Sequence, residues 1–244
     1  MTSSTGLIQH FCRMLDQVRQ PNTHWVVAFS GGLDSRVLLE LLCYYRAHSD
    51  NGKNDKFSAV HIHHGLSANA DAWAKACEQV CQALDIQFNC QRVNLDLGPQ
   101  VSIEQAAREA RYHALSHYVT ANTCVLTGQH ASDQLETVLL ALKRGAGPKG
   151  LAAMGAESEF GQGRLVRPLL TVPQTQLADF AQTHQLTWIN DESNQDTRFD
   201  RNYLRHQVIP QLTQRFTAIE KTVARSAALC AEQESLLHEL LTDK

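Results

Sequence analysis

Residues 25 to 35, Trp25-Val26-Val27-Ala28-Phe29-Ser30-Gly31-Gly32-Leu33-Asp34-Ser35, constrain this chain more than any other stretch, because an apolar run breaks at paired glycines and resumes with helical periodicity. The pattern predicts a buried strand, a tight turn and a helix start. Glycines let successive N–H groups point into one concavity at the positive end of the following helix, which is a place for an anion. Ser30 and Ser35 add hydroxyl donors on either side. The Asp34 carboxylate would repel a phosphate unless a divalent cation stood between them, which implies magnesium with Asp34 as its ligand. Neither Gly-x-x-x-x-Gly-Lys-Ser/Thr nor Gly-x-Gly-x-x-Gly is present, so this is not the usual nucleotide loop. A plain strand-to-helix turn capped by Ser or Asp is the competing reading.

The rest of the chain alternates strands and helices. Leu7, Ile8, Phe11, Leu15 and Val18 predict an opening helix over 6–19, and the loop runs into a helix over 34–46. Strands are expected at 57–62, 86–91 and 123–127, with a weaker one near 164–167; with the 25–29 strand this makes five. Helices are expected at 69–83, at 102–118 with Ser102 as a cap, at 131–142 and from Pro173 to 184. Ser49 to Asp55 and the Gly98-Pro99 stretch are loops. Six glycines between Lys143 and Gly163 predict a long surface loop holding at most a short helix at 151–154. The last segment, 212–241, reads as one apolar-periodic helix. The expected architecture is α/β: an open, mostly parallel five-stranded sheet with helices on both faces, Rossmann-like, over residues 1–211. Residues 212–244 follow as C-terminal helices, an extension or a linker to a further domain.

With 244 residues and 43% hydrophobic content the chain can bury a full core. Apolar runs are short and no basic-plus-apolar leader precedes them, so a soluble cytoplasmic protein is expected. Seven cysteines without a Cys-x-x-Cys read as reduced core thiols. A net charge of -3 argues against a generic nucleic-acid binder but leaves room for a local basic surface.

Polar clusters follow the strands, at the sheet end where ligands bind in open parallel sheets. His61, His63 and His64 end the second; strand alternation sends His63 and His64 to opposite faces, which does not complete a zinc site. Gln129 and His130 follow the fourth. Asp133 and Glu136, three apart on a helix, share one side and suit a cation or an amine; a solvated helix start is the bland alternative. Arg108 and Arg111 share a stripe with Glu104 and could clamp a phosphate, a nucleobase carbonyl or a carboxylate. Lys143, Arg144, Lys149, Arg164 and Arg167, together with Arg198, Arg201 and Arg205, form a candidate RNA-facing set or an ordinary charged surface.

Ser30-Gly31-Gly32-Leu33-Asp34-Ser35 resembles the signature of PP-loop ATP pyrophosphatases, which hold the pyrophosphate of ATP there and cut between the alpha and beta phosphates. Further motifs narrow the resemblance: His61-Ile62-His63-His64-Gly65-Leu66, Glu104 to Tyr112, Thr127 to Thr137, Arg144-Gly145-Ala146-Gly147, Arg167-Pro168-Leu169-Leu170, Asp191-Glu192-Ser193-Asn194 and Arg201-Asn202-Tyr203-Leu204-Arg205. Together, over about 24–210, they look like the tRNA(Ile)-lysidine synthetase family. That resemblance implies ATP, magnesium and free L-lysine as reactants with an isoleucine tRNA bearing a CAU anticodon. It further implies that Ser30, Gly31, Gly32, Leu33, Asp34 and Ser35, with His61, bind ATP. Arg108 or Arg111 would steady an adenylated cytidine, His130 would serve the reaction, and Asp133 with Glu136 would receive the lysine amine. Lys143, Arg144, Arg167, Arg198, Arg201 and Arg205 would meet the tRNA. The family commonly has Asn at the position of His63, Arg at Ser67 and often His at Gln129. Related tRNA thiolation and a noncatalytic nucleotide- or RNA-binding module stay open, and exposed apolar positions near the end of the chain allow a homodimer.

Overall fold

The computed structural model describes residues 3–49, 54–95 and 103–242. Ser102, the Gly98-Pro99 stretch and most of the loop before Asp55 lie outside them. The chain forms two units, one of residues 1–128, 157–168 and 176–190, the other of residues 129–156, 169–175 and 191–244.

The first unit is built on β1 (His24–Ala28), whose three central residues, Trp25, Val26 and Val27, are buried. It pairs in parallel on both edges, from His24↔Lys56 to Ala28↔Val60 with β2 (Lys56–His63) and from His24↔Thr123 to Val27↔Leu126 with β4 (Thr123–Leu126). β3 (Gln87–Arg92) extends the sheet beyond β2, and β6 (Gly163–Val166) and β5 (Glu157–Phe160) extend it beyond β4, giving the order β3-β2-β1-β4-β6-β5. Strand alternation sends neighbouring side chains to opposite faces. On one face Val26, Val60, Val125 and Leu165 form a core with Leu115 of α4 (Ile103–Ser116). On the other, Trp25 meets Tyr45 of α2 (Leu33–His48) edge-on at 6.0 Å. α1 (Ser3–Val18) buries Leu7, Phe11, Leu15 and Val18, the stripe its spacing predicts, and α3 (Ala70–Ala83) buries Cys77 and Cys81.

The expected mostly parallel, Rossmann-like sheet with helices on both faces is therefore present, but it has six strands rather than five. The additional strand, β5, lies where glycines predict a loop, and it pairs antiparallel with β6 from Glu157↔Val166 to Phe160↔Gly163. Its residues are mostly exposed, so no apolar pattern announced it; backbone pairing alone makes the strand. The short helix of this region, α6 (Pro148–Leu151), starts three residues earlier than expected because Pro148 occupies its first turn.

In the second unit α5 (Ala131–Lys143) buries Leu135, Val138 and Ala141. The single helix expected over 212–241 is two, α9 (Ile209–Arg215) and α10 (Ile219–Thr242), parted where Phe216 leaves the helical region at φ -124° and ψ 81°. Neither Gly nor Pro marks that break, so periodicity ran straight through it. α10 packs on α5, where Ser132 Oγ donates to Glu220 Oε1 at 2.6 Å. α7 (Gln174–Thr183) and α8 (Asp200–Tyr203) complete the helices used below. Among the described residues no helix is long and apolar enough to cross a membrane.

One buried carboxylate ties the lower end of the sheet. The Asp55 side chain, wholly buried, accepts from Arg19 Nε at 2.9 Å and Nη2 at 3.0 Å, from the Thr23 amide at 3.2 Å and from Trp25 Nε1 at 3.0 Å. Asp55→Ala would strand these donors together. Urea unfolding is expected to show a loss of about 3–5 kcal/mol; a loss below about 1 kcal/mol would mean that the tie contributes little.

Candidate active site

In the first unit the turn after β1 continues the sheet's bonding for one residue, as the Phe29 amide donates to Val60 O at 2.9 Å, and then departs. Gly31 has φ +86°, a conformation that favours glycine. A Cβ there would lie 2.5 Å from Ile189 Cδ1 and 2.8 Å from Cys77 Sγ. Ile189 also donates its amide to Gly31 O at 2.9 Å, so the residues after α7 hold the turn from behind. The hydroxyls of Ser30 and Ser35 lie 3.0 Å apart; Ser35 Oγ accepts from the Gly31 amide at 3.1 Å and donates to Gly32 O at 3.0 Å. The N-cap of α2 is Gly32, which has no side chain to occupy the first-turn amides, and those amides lie outside the intrahelical ladder. Gly128, just past β4, passes so close that a Cβ would stand 3.1 Å from the Asp34 carbonyl carbon and 3.2 Å from the Ser35 nitrogen.

A neutral histidine packs against the entry to this turn. His61 is buried and its Nδ1 donates to Phe29 O at 2.9 Å, which leaves Nε2 as the acceptor of a neutral ring. Burial holds the His61 pKa below its usual value, and neighbouring His63 adds to this against the bond to Phe29. His64 is pushed down to about 4, first by burial and then by the Arg111 guanidinium with His61 and His63. Arg111 on α4 is thus electrically close to the strand end, whereas Arg108 lies 5.0 Å over the Tyr112 ring. Three buried polar atoms of this unit, Arg36 Nε on α2 and, just past the strand ends, His64 Nδ1 and Thr127 Oγ1, have no hydrogen-bond partner among the described residues. Such atoms, with an uncapped helix start, suit a polar, anionic ligand. The Asp34 carboxylate is a hard oxygen donor of the kind magnesium takes.

The second unit carries the carboxylates. His130 is the N-cap of α5, and its amide donates to Asp133 Oδ2 at 3.0 Å while its ring Nε2 stands 3.4 Å from the same oxygen. Glu136, fully buried on the same helix, receives Arg205 in a two-point bond, Nε to Oε1 at 2.7 Å and Nη2 to Oε2 at 3.0 Å. Arg205 Nη2 also reaches Asp133 Oδ1 at 3.1 Å. Arg201 stands with Nη1 3.6 Å from Glu136 Oε2 and Nη2 3.4 Å from Thr137 Oγ1. Burial pushes the Glu136 carboxyl above the ordinary range; the bonds from Arg205 pull against this, and the Asp133 charge adds to it.

The structure therefore brings together His130, Asp133 and Glu136 as expected, and adds to them two arginines that the sequence grouped with an RNA-facing set. Of the other members of that set, Arg167 is buried, Lys143 pairs with Asp200, Arg198 pairs with Asp196 at 2.7 Å, and Arg144 is exposed. Sequence reasoning missed Gly128 and Ile189 as walls of the turn. A glycine directly after an apolar strand signals Gly128; nothing local signals Ile189.

A family model described as PP-loop domain matches residues 5–212. The tRNA(Ile)-lysidine synthase of Vibrio vulnificus strain YJ016 is 53% identical over 236 residues, covering 97% of this chain and 53% of the relative. The enzyme of that name from Photobacterium profundum is 53% identical over 220 residues, 90% of this chain and 50% of the relative. The chain spans about half the length of the curated relatives it matches. Among solved structures, the U34-tRNA thiolase NcsA of Methanococcus maripaludis superposes with a TM-score of 0.79 at 15% identity, covering 93% of this chain and 78% of that one. The NH3-dependent NAD synthetase of Campylobacter jejuni gives 0.51 at 13%, covering 95% and 97%. At these identities the two share the fold.

Gly31→Ala places a Cβ at φ +86° among Ile189 and Cys77, a strain of about 1–3 kcal/mol that the turn relieves by changing shape. Titration with inorganic pyrophosphate is expected to show affinity at least about tenfold weaker than for the unaltered chain, or about 1.4 kcal/mol. Equal affinity would remove the turn from the anion site.

Proposed function

Because the chain belongs to the PP-loop domain family, we propose that it uses ATP to join free L-lysine to C2 of the wobble cytidine in an isoleucine tRNA with a CAU anticodon. The observation that carries the ATP half is the turn itself, an uncapped helix start lined by Ser30 and Ser35. The choice of lysine and tRNA is supported by the relatives, which at 53% identity extend across both the turn and the Asp133–Glu136 helix.

In this reading Ser30 to Ser35 hold the pyrophosphate portion of ATP, and Asp34 would hold magnesium, which would supply neutralisation of phosphate charge. The cytidine O2 attacks the alpha phosphorus, forming an O2–P bond as the bond to the beta-phosphate oxygen breaks and pyrophosphate leaves. Arg111 opposes the negative charge that develops there. The lysine side-chain amine then attacks C2, and AMP departs with the former O2. An amine of pKa about 10.4 is neutral in only about one molecule in a few thousand at pH 7, a penalty of about 4–5 kcal/mol. Carboxylates stabilise its charged form, so Asp133 and Glu136 recruit the ammonium, and the proton leaves as C2 is attacked. Sulfur insertion finds no comparable support: the thiols of Cys77 and Cys81 are pushed up to about 12 by burial, far from the reactive thiolate.

Asp34→Ala is expected to abolish tRNA-dependent exchange of pyrophosphate into ATP, by about 100-fold or more, and unchanged exchange would reject the loop assignment. Asp133→Asn and Glu136→Gln should keep that exchange while mass analysis of the tRNA nucleosides shows adenylated cytidine in place of lysidine. Normal lysine transfer in both would sink the amine assignment, and a mass gain matching sulfur would replace it.

A further inference from the structure

The pair proposed to receive an amine is already satisfied by the protein's own cation. The Glu136 side chain is 0% exposed, so its charge needs a permanent counter-ion, and Arg205 supplies one with both carboxylate oxygens engaged. Asp133 and Glu136 carry two negative charges; Arg201 and Arg205 carry two positive ones. A lysine ammonium entering this set would leave one surplus positive charge beside a carboxylate sealed from water, unless an arginine gave way. Arg205 holds both Glu136 oxygens and has an exit, a third of its side chain being exposed against 27% for Arg201.

The backbone under Arg205 is irregular. Leu204–Val208 is a π-helical turn between α8 and α9, closed by a bond from the Ile209 amide to Leu204 O, five residues back. Pro210 explains it: proline has no N–H for the carbonyl of His206, four residues earlier, and its ring crowds that carbonyl. The ladder widens instead. His206 Nε2 holds the widened turn by donating to Asn194 O at 2.8 Å. One residue of register in a helix turns a side chain by about 100°, enough to carry the Arg205 guanidinium off Glu136. π turns inside helices recur at functional sites.

We propose that Arg205 is an internal stand-in for the lysine ammonium, closing the Asp133–Glu136 site until lysine displaces it and the guanidinium swings out as the Leu204–Val208 turn loosens. This rests on the reading that Asp133 and Glu136 receive lysine. Arg205 then sets the apparent lysine affinity, because only the fraction of molecules with the guanidinium withdrawn can bind.

The test is calorimetric titration of the full chain with L-lysine. A withdrawn state populated at about 1–10% taxes affinity by about ten- to a hundredfold, so Arg205→Gln is expected to bind lysine tighter by that factor. Pro210→Ala restores the missing N–H, keeps the arginine but lets the turn take α-helical register, which carries the guanidinium off Glu136 and should also tighten binding; this keeps the idea testable should R205Q fold poorly. In the unaltered chain, saturating lysine should speed amide hydrogen exchange over Leu204–Ile209, a change that a static counter-ion would not produce. Equal or weaker lysine binding in both variants, with exchange unmoved, overturns the stand-in. If that lysine binding is still abolished by Glu136→Gln, the acid pair keeps its role and the gate alone fails. Lysine binding by none of these forms, with pyrophosphate binding intact, overturns both.

Discussion

β1 is paired on both edges, and that constraint shapes everything at the end of the sheet. Its backbone is paired with β2 as far as Ala28 and with β4 as far as Val27, so the chain is held in line up to the turn. The pairing persists just past the strand ends, with the Phe29 amide on Val60 O and the Thr127 amide on Val166 O. Successive strands are added to opposite sides of β1, which opens a crevice where the order reverses. Gly31 makes the turn, Gly128 passes against Asp34 and Ser35, and α2 begins with its amides facing the crevice.

Two kinds of electrostatic preparation serve the proposed chemistry. In the first unit burial, with Arg111 adding to it, keeps His64 uncharged at pH 7, and the Asp34 carboxylate in the turn suits a metal. In the second unit the logic inverts. A buried carboxylate is met by direct guanidinium contact, at a site where desolvation by itself favours the neutral acid. Such a site is selective, because a ligand must match both the charge and the reach of what it replaces.

How much of this could be read from the chain depended on sequence distance. The turn at Ser30 to Ser35, the capping acid Asp133 and the helical stripe of α1 lie within a few residues of the partners that define them, so pattern sufficed. The exposed strand β5 has no pattern to show, and the break at Phe216 has no breaker residue. The bond from Arg205 to Glu136 joins positions 69 apart, and nothing in the periodicity of either segment connects them. Grouping Arg201 and Arg205 with exposed basic residues was reasonable for an isolated helix face; burial of Glu136 changed what they touch.

The chain alone determined the alternation of elements, the strand–turn–helix with its serines and aspartate, and the two carboxylates on one side of α5, since these follow from local steric and periodic rules. Only the tertiary structure decided which charges meet. Long-range packing chose Ile189 as the wall behind Gly31, took Glu136 out of water and brought Arg205 to it, because the cost of a buried charge exists only once the surrounding chain has folded over it.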